Sequence, residues 1–193
     1  GEVVLNEGDI FNIPTRVFRG FENIGDEYGM IMAVLGGDDS GGGVIWAPQV
    51  LDAASRHGLI LSETGHLYDT KKGEKLPHGQ NPVSKLTDED LSTIAEVPVT
   101  GIVRDYVARY WDLMALSKKE PCLVIGEEGL IKDKPGFEVE FISSKSVAER
   151  LYRTDRYEVL MPVKGNWKLS WQGHETILNS GDTCLLKPGI EHS

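Results

Sequence analysis

From Leu151 to Ser193 the chain reads LYRTDRYEVLMPVKGNWKLSWQGHETILNSGDTCLLKPGIEHS, a series of short apolar or alternating stretches with glycine at the corners. Tyr157–Val163 stops at Lys164-Gly165-Asn166, a turn signal. Proline has no N–H to give to a ladder, so Pro162 puts this stretch at an edge or beside a bulge. Trp167, Leu169 and Trp171 alternate with Lys168 and Ser170, the two-residue period of a strand with one buried face. Gln172-Gly173 turns the chain, and His174–Leu178 reads as another strand. Asn179–Asp182 turns it again before a strand at Thr183–Leu186, halted by Pro188-Gly189. Strands at this spacing predict an all-β sandwich or barrel.

Half of the pattern recurs at the other end of the chain. NEGDIFNIP at 6–14 aligns with NSGDTCLLK at 179–187, setting Gly8 on Gly181 and Asp9 on Asp182 at an offset of 173. The same offset carries Arg19 onto His192. An internal repeat of this kind predicts two related domains.

These residues resemble the cupins, whose fold is a double-stranded β-helix or jelly-roll barrel. The first cupin motif, G-x5-H-x-H-x3,4-E-x6-G, is matched at its end by Glu158 and Gly165. The second, G-x5-P-x-G-x2-H-x3-N, is matched by Gly181, Pro188, Gly189 and His192, with Lys187 where its proline usually stands. In the N-terminal copy Asn23 stands where that motif ends. The resemblance implies a mainly β chain of cupin barrel elements with a helical inter-barrel segment. Residues 1–50 would be the closing half of a first barrel, 51–120 a helical and loop connection, and 121–193 a second barrel without its closing strands. Such a chain is expected to be a piece of a two-barrel bicupin; the alternative is a permuted arrangement in which the first fifty residues complete the last barrel.

Family members hold a metal, commonly Fe(II), Mn or Ni, with two histidines, the glutamate and the later histidine. Here the positions four and six before Glu158 are Thr154 and Tyr152, and the longer spacing gives Arg153 and Leu151. Two of the four ligands are therefore missing, and one imidazole with one carboxylate binds first-row metals poorly. By resemblance the candidate ligands are His192, Glu158 and, in place of a histidine, Tyr152. Glu158 and His192 are also the candidate catalytic pair, able without metal to transfer a proton or simply to share a hydrogen bond. Thr154 and Arg19 are the candidate substrate contacts. Arg19 stays protonated, so it can pair with a carboxylate but cannot be a ligand.

The remaining chain predicts helices and loops. Gly29–Leu35 is a continuous apolar run, the pattern of a strand buried on both faces. Gly36–Gly43 lacks the Gly-Lys-[ST] ending of a phosphate cradle and carries two acids, so it reads as a loop. Pro48 and Gly58 bracket a helix. Gly65–Pro82 is polar and rich in turn formers, a linker or long loop. Thr87-Asp88-Glu89-Asp90 resembles a capping box opening a helix that runs to Ala95. Ile102, Val103, Tyr106, Tyr110, Leu113 and Met114 predict one helix over 99–116. Strand character resumes at Cys122–Ile125 and Phe137–Ile142.

A net charge of −10 opposes nucleic-acid and anionic-membrane binding by bulk electrostatics. Two cysteines make no disulfide framework, and neither a signal peptide nor a long apolar span is seen, so the expected location is cytoplasmic. The expected partner is a small-molecule ligand. Two functions fit the resemblance. One is a metal-dependent, dioxygenase-like bicupin acting on a small aromatic or carboxylic acid; the GGGVIWAPQ exit resembles the region after a barrel in homogentisate dioxygenases, relatives in kind of the gentisate enzymes. The other is a non-catalytic cupin with degenerate metal sites, a small-molecule-binding or structural protein and a homodimer through its barrel edges.

Overall fold

The computed structural model describes residues 1–14, 17–35, 45–94, 98–133, 135–145 and 151–193. The glycine-rich stretch 36–43, Thr15 of the first proline corner and the expected helix end at Ala95 lie outside the described residues. In chain order the elements are β1 (Ile10–Phe11), α1 (Pro48–Arg56), β2 (Leu59–Leu61), β3 (Leu67–Asp69), α2 (Asp88–Ser92) and α3 (Val99–Tyr106). Then come β4 (Val107–Ala108), α4 (Tyr110–Leu116), β5 (Cys122–Gly126), β6 (Ile131–Lys132) and β7 (Val139–Phe141). The last four are β8 (Glu158–Leu160), β9 (Trp167–Trp171), β10 (His174–Leu178) and β11 (Cys184–Leu186). The architecture is β-rich with short helices, built from two- and three-stranded sheets, and no sheet among the described residues closes into a barrel.

One compact unit comprises Gly1–Ile13, Asn23–Gly37 and Val97–Ser193. Its core is Ala108, Leu113, Val124, Ile125, Ile131 and Phe141, with Ile10, Tyr110 and Met114 packed against it. Leu113 and Val124 are fully buried, worth roughly 1.5–3 kcal/mol each in transfer from water. Val124 belongs to the sheet β6-β5-β7, parallel on one side of β5 and antiparallel on the other. The buried Ser143 hydroxyl donates to the Ser117 carbonyl at 2.7 Å and ties the end of α4 to the chain leaving β7.

The four C-terminal strands lie where the alternation predicts them. β9 and β10 form a hairpin from Trp171↔His174 to Trp167↔Leu178. Its two-residue turn has both φ angles positive, +47° at Gln172 and +81° at Gly173, the geometry that matches the twist of paired strands. β8 pairs antiparallel with β11, Glu158 opposite Leu186, and the ladder ends before Pro162.

Two corrections concern this unit. The helix expected over 99–116 is two helices with β4 between them. Val107 and Ala108 pair with Phe11 and Ile10 of β1, and Asn12 N–H donates to the Tyr106 carbonyl at 2.9 Å. Long-range pairing overrides the helical period there. Gly29–Leu35 forms no strand, and Met30, Ile31, Val34 and Leu35 are exposed. A strand buried on both faces needs covering layers, and among the described residues these side chains are left largely uncovered.

The second unit is Pro14–Glu22 with Asp38–Glu96. Helix α1 starts on Pro48 and ends into Gly58, whose φ of +84° suits glycine, as expected. Residues 65–82 are not all loop: β3 pairs with β2, Leu59 opposite Asp69, and Thr70 N–H donates to the Gly58 carbonyl. A three-residue strand inside a polar, glycine-rich stretch is too short to leave a periodic signal. The capping box opening α2 is present, with Thr87 Oγ1 accepting from Asp90 N–H and Asp90 accepting from Thr87 N–H.

Candidate functional site

The site is assembled by backbone pairing at the C-terminal end. Tyr152 and His192 exchange both main-chain hydrogen bonds, at 2.7 and 2.9 Å. Ser193 does the same with Ser170 of β9, at 2.8 and 2.9 Å. His192 is thereby held between two neighbouring segments and is only 5% exposed. Its ring lies 5.9 Å from that of Tyr152 at 25° between planes. Glu158 projects from the first residue of β8, and its Oε2 lies 3.5 Å from His192 Nε2.

The orientation of the imidazole carries chemical information. Nδ1 faces the Ile190 carbonyl at 3.3 Å. A carbonyl can only accept, so with a proton on Nδ1 this contact is a hydrogen bond, and Nε2 is the ring nitrogen that faces Glu158. Glu158 Oε2 is buried with no hydrogen-bond partner, and so is the Tyr152 hydroxyl. Ser117 Oγ in the core has the same standing, and the polar atom beside Glu158 Oε2 is His192 Nε2 at 3.5 Å.

Glu140, from the middle of β7, was not singled out by sequence. Burial, then the neighbouring carboxylates of Glu138 and Glu158, push its carboxyl above the ordinary value. In β7 it alternates with Val139 and Phe141, and as that period predicts the residue is exposed, so the burial that shifts its carboxyl is partial. Burial also raises the thiol of Cys122, with Glu140 adding to the effect.

The other predicted contacts go elsewhere. Thr154 Oγ1 accepts from Arg156 N–H at 3.1 Å and its carbonyl accepts from Gly189 N–H at 2.7 Å, so it shapes a turn. It lines a separate shallow cleft with Arg153, Asp155, Pro188 and Gly189. Arg19 lies in exposed coil of the second unit.

A metal does not fit this donor set. Glu158, His192 and the Tyr152 phenol supply one imidazole and one carboxylate, and among the described residues no three His, Cys, Asp or Glu side chains converge on a point.

A second cleft, of about 490 Å³, lies elsewhere in the same unit between Glu7, Asp9, Arg109, Tyr110, Trp111 and Lys164. Lys164 Nζ sits 3.0 Å from Glu7 Oε2 and 4.8 Å from the Tyr110 ring centre. Its charges are matched within the cleft, which gives it the character of a structural latch. Among the described residues no helix is long and apolar enough to cross a membrane. Compared with known proteins, the chain matches no family model, no curated protein and no solved structure.

Proposed function

We propose that the C-terminal strands belong to a cupin-type jelly-roll whose metal site has become a metal-free binding site for a small polar molecule, lined by Tyr152, Glu158 and His192. The observation that carries this reading is the cluster of the Tyr152 hydroxyl and Glu158 Oε2, both buried without a hydrogen-bond partner, beside His192, whose Nε2 lies 3.5 Å from that carboxylate oxygen. A polar ligand that donates and accepts would satisfy both atoms. The cupin reading is supported by the β8–β11 and β9–β10 pairings and by the repeated Asn-x-Gly-Asp turn.

The test combines thermal-shift screening against small polar compounds with metal analysis of protein grown in supplemented medium. Stabilisation by at least one compound, abolished in a Tyr152→Phe/Glu158→Gln double variant, is the expected outcome. Near-stoichiometric iron, manganese or nickel would replace this reading with the metal-dependent dioxygenase-like enzyme.

A further inference from the structure

We propose that the cleft between Glu7, Tyr110 and Trp111 is a binding site for a quaternary ammonium group, which Lys164 fills when no ligand is there. The site shares no residue with the Tyr152, Glu158 and His192 cluster, and it stands independently of the function proposed for that cluster.

Two rings form its walls. Tyr110 and Trp111 meet edge to face, with centroids 5.0 Å apart and planes at 74°. Tyr110 is fixed in place. Its ring meets that of the core residue Phe141 at 5.7 Å, and its N–H donates to Asp9 Oδ1 at 2.8 Å. Gly8 lies so near that a Cβ there would stand 2.4 Å from Tyr110 Cδ2. Trp111 is 75% exposed, a large apolar surface left to solvent. Aromatic faces attract cations through the ring quadrupole, and here a cation is already in place. The Lys164 ammonium lies 4.8 Å from the Tyr110 centre, 5.8 Å from the Trp111 centre and 3.0 Å from Glu7 Oε2. The cleft, about 490 Å³, is within the roughly 300–1,000 Å³ of small-molecule sites.

The charges decide the class of ligand. Arg109 is committed: its Nη1 donates to Asp9 Oδ2 at 2.7 Å and to the Val4 carbonyl at 2.9 Å. When Lys164 swings out, the charge left unmatched is that of Glu7, one carboxylate beside two ring faces. An anion would have to displace Glu7 and then lie against the same faces, which repel it. The lysine can leave, because its side chain is 40% exposed and that of Glu7 is 66% exposed, and such pairs contribute little. A quaternary ammonium suits what remains. Its methyl groups bury against the rings, it needs no hydrogen-bond acceptor, and Glu7 supplies the opposite charge.

The full chain is titrated by calorimetry at pH 7.5 with tetramethylammonium, choline and 3,3-dimethylbutanol, the neutral carbon isostere of choline. Both cations should bind saturably and the alcohol should not. Trp111→Ala should weaken choline about tenfold or more with far-UV circular dichroism unchanged, and Glu7→Gln should weaken it by a smaller factor. Lys164→Ala should tighten it about three- to sixfold, because the ligand no longer competes with a cation already held by the rings. Sedimentation with phosphatidylcholine vesicles, lost in Trp111→Ala, would support the same site with a lipid headgroup as the source of the cation. Equal binding of the alcohol overturns the charge assignment, and cation binding untouched by Trp111→Ala overturns the location. An unchanged affinity in Lys164→Ala overturns the role given to Lys164. If neither cation binds even to Lys164→Ala, the proposal falls, while the Tyr152, Glu158 and His192 cluster is left untouched.

Discussion

Asp9 and Asp182 occupy the same place in two copies of one turn. Asp9 Oδ2 accepts from Asn6 N–H at 2.9 Å, and Asp182 Oδ2 accepts from Asn179 N–H at 2.8 Å. Each aspartate N–H returns a bond of 3.0 Å to the asparagine carbonyl. Gly8 and Gly181 both have φ of +87°, and each turn leads into a short antiparallel strand, β1 on β4 and β11 on β8. The alignment at an offset of 173 is thus repeated in local geometry. The copies differ in what covers the glycine, and that difference is measurable.

A Cβ built on Gly8 would stand 2.4 Å from Tyr110 Cδ2, whereas one on Gly181 would stand 2.8 Å from the terminal Cε of Met30. Both alanine variants incur the left-handed backbone cost, about 1–2 kcal/mol. Only Gly8→Ala must also displace an aromatic ring packed on the core. Urea denaturation should therefore rank Gly8→Ala as the more destabilised, by at least about 1 kcal/mol over Gly181→Ala.

Asp9 holds the first turn to α4. Burial pushes its carboxyl up, but the N–H groups of Asn6 and Tyr110 and the Arg109 guanidinium together outweigh that and hold it below its ordinary 3.8. Its side chain is 3% exposed and Arg109 Nη1 lies 2.7 Å away. Asp9→Asn leaves Arg109 without its carboxylate and should cost about 3 kcal/mol near neutrality. A depressed folded value means this stability is present above pH 3.8 and lost as pH falls through the folded value. The gap in chemical-denaturation stability between parent and variant should accordingly narrow toward pH 2.

Glu140 has the opposite sign. Its carboxyl is raised above the ordinary 4.5 by burial, then by Glu138 and Glu158. Stability is then fully present below pH 4.5 and lost as pH rises through the raised folded value. Glu140→Gln removes the repulsion, so its melting temperature should exceed the parent's at pH 7.5 and converge with it by about pH 4. A variant less stable at pH 7.5 would show that Glu140 makes a favourable ionised contact.

Lys164 connects the turn after β8 to the N-terminal turn and α4. Its ammonium is 3.0 Å from Glu7 Oε2, 4.8 Å from the Tyr110 ring centre and 5.8 Å from that of Trp111. Lys164→Met should cost about 0.5–1 kcal/mol, since every partner is partly solvated. Trp111 is exposed, so the same variant should alter its fluorescence without changing far-UV circular dichroism.

Sequence by itself determined the local pieces. Gln172-Gly173 set the β9–β10 hairpin, Asn-x-Gly-Asp set both turns, Thr87 and Asp90 capped α2, and the resemblance to the cupin motifs marked Glu158 and His192, two side chains that do meet. These are short-range rules, in which positive φ, strand alternation and capping are written into adjacent residues. Tertiary structure decided the rest: β4 breaking the helix at Val107, Gly29–Leu35 left exposed, Arg19 placed in exposed coil, and Glu140 brought beside Glu158. Each of these depends on which distant segment lies alongside, and the energy of that pairing belongs to neither stretch alone.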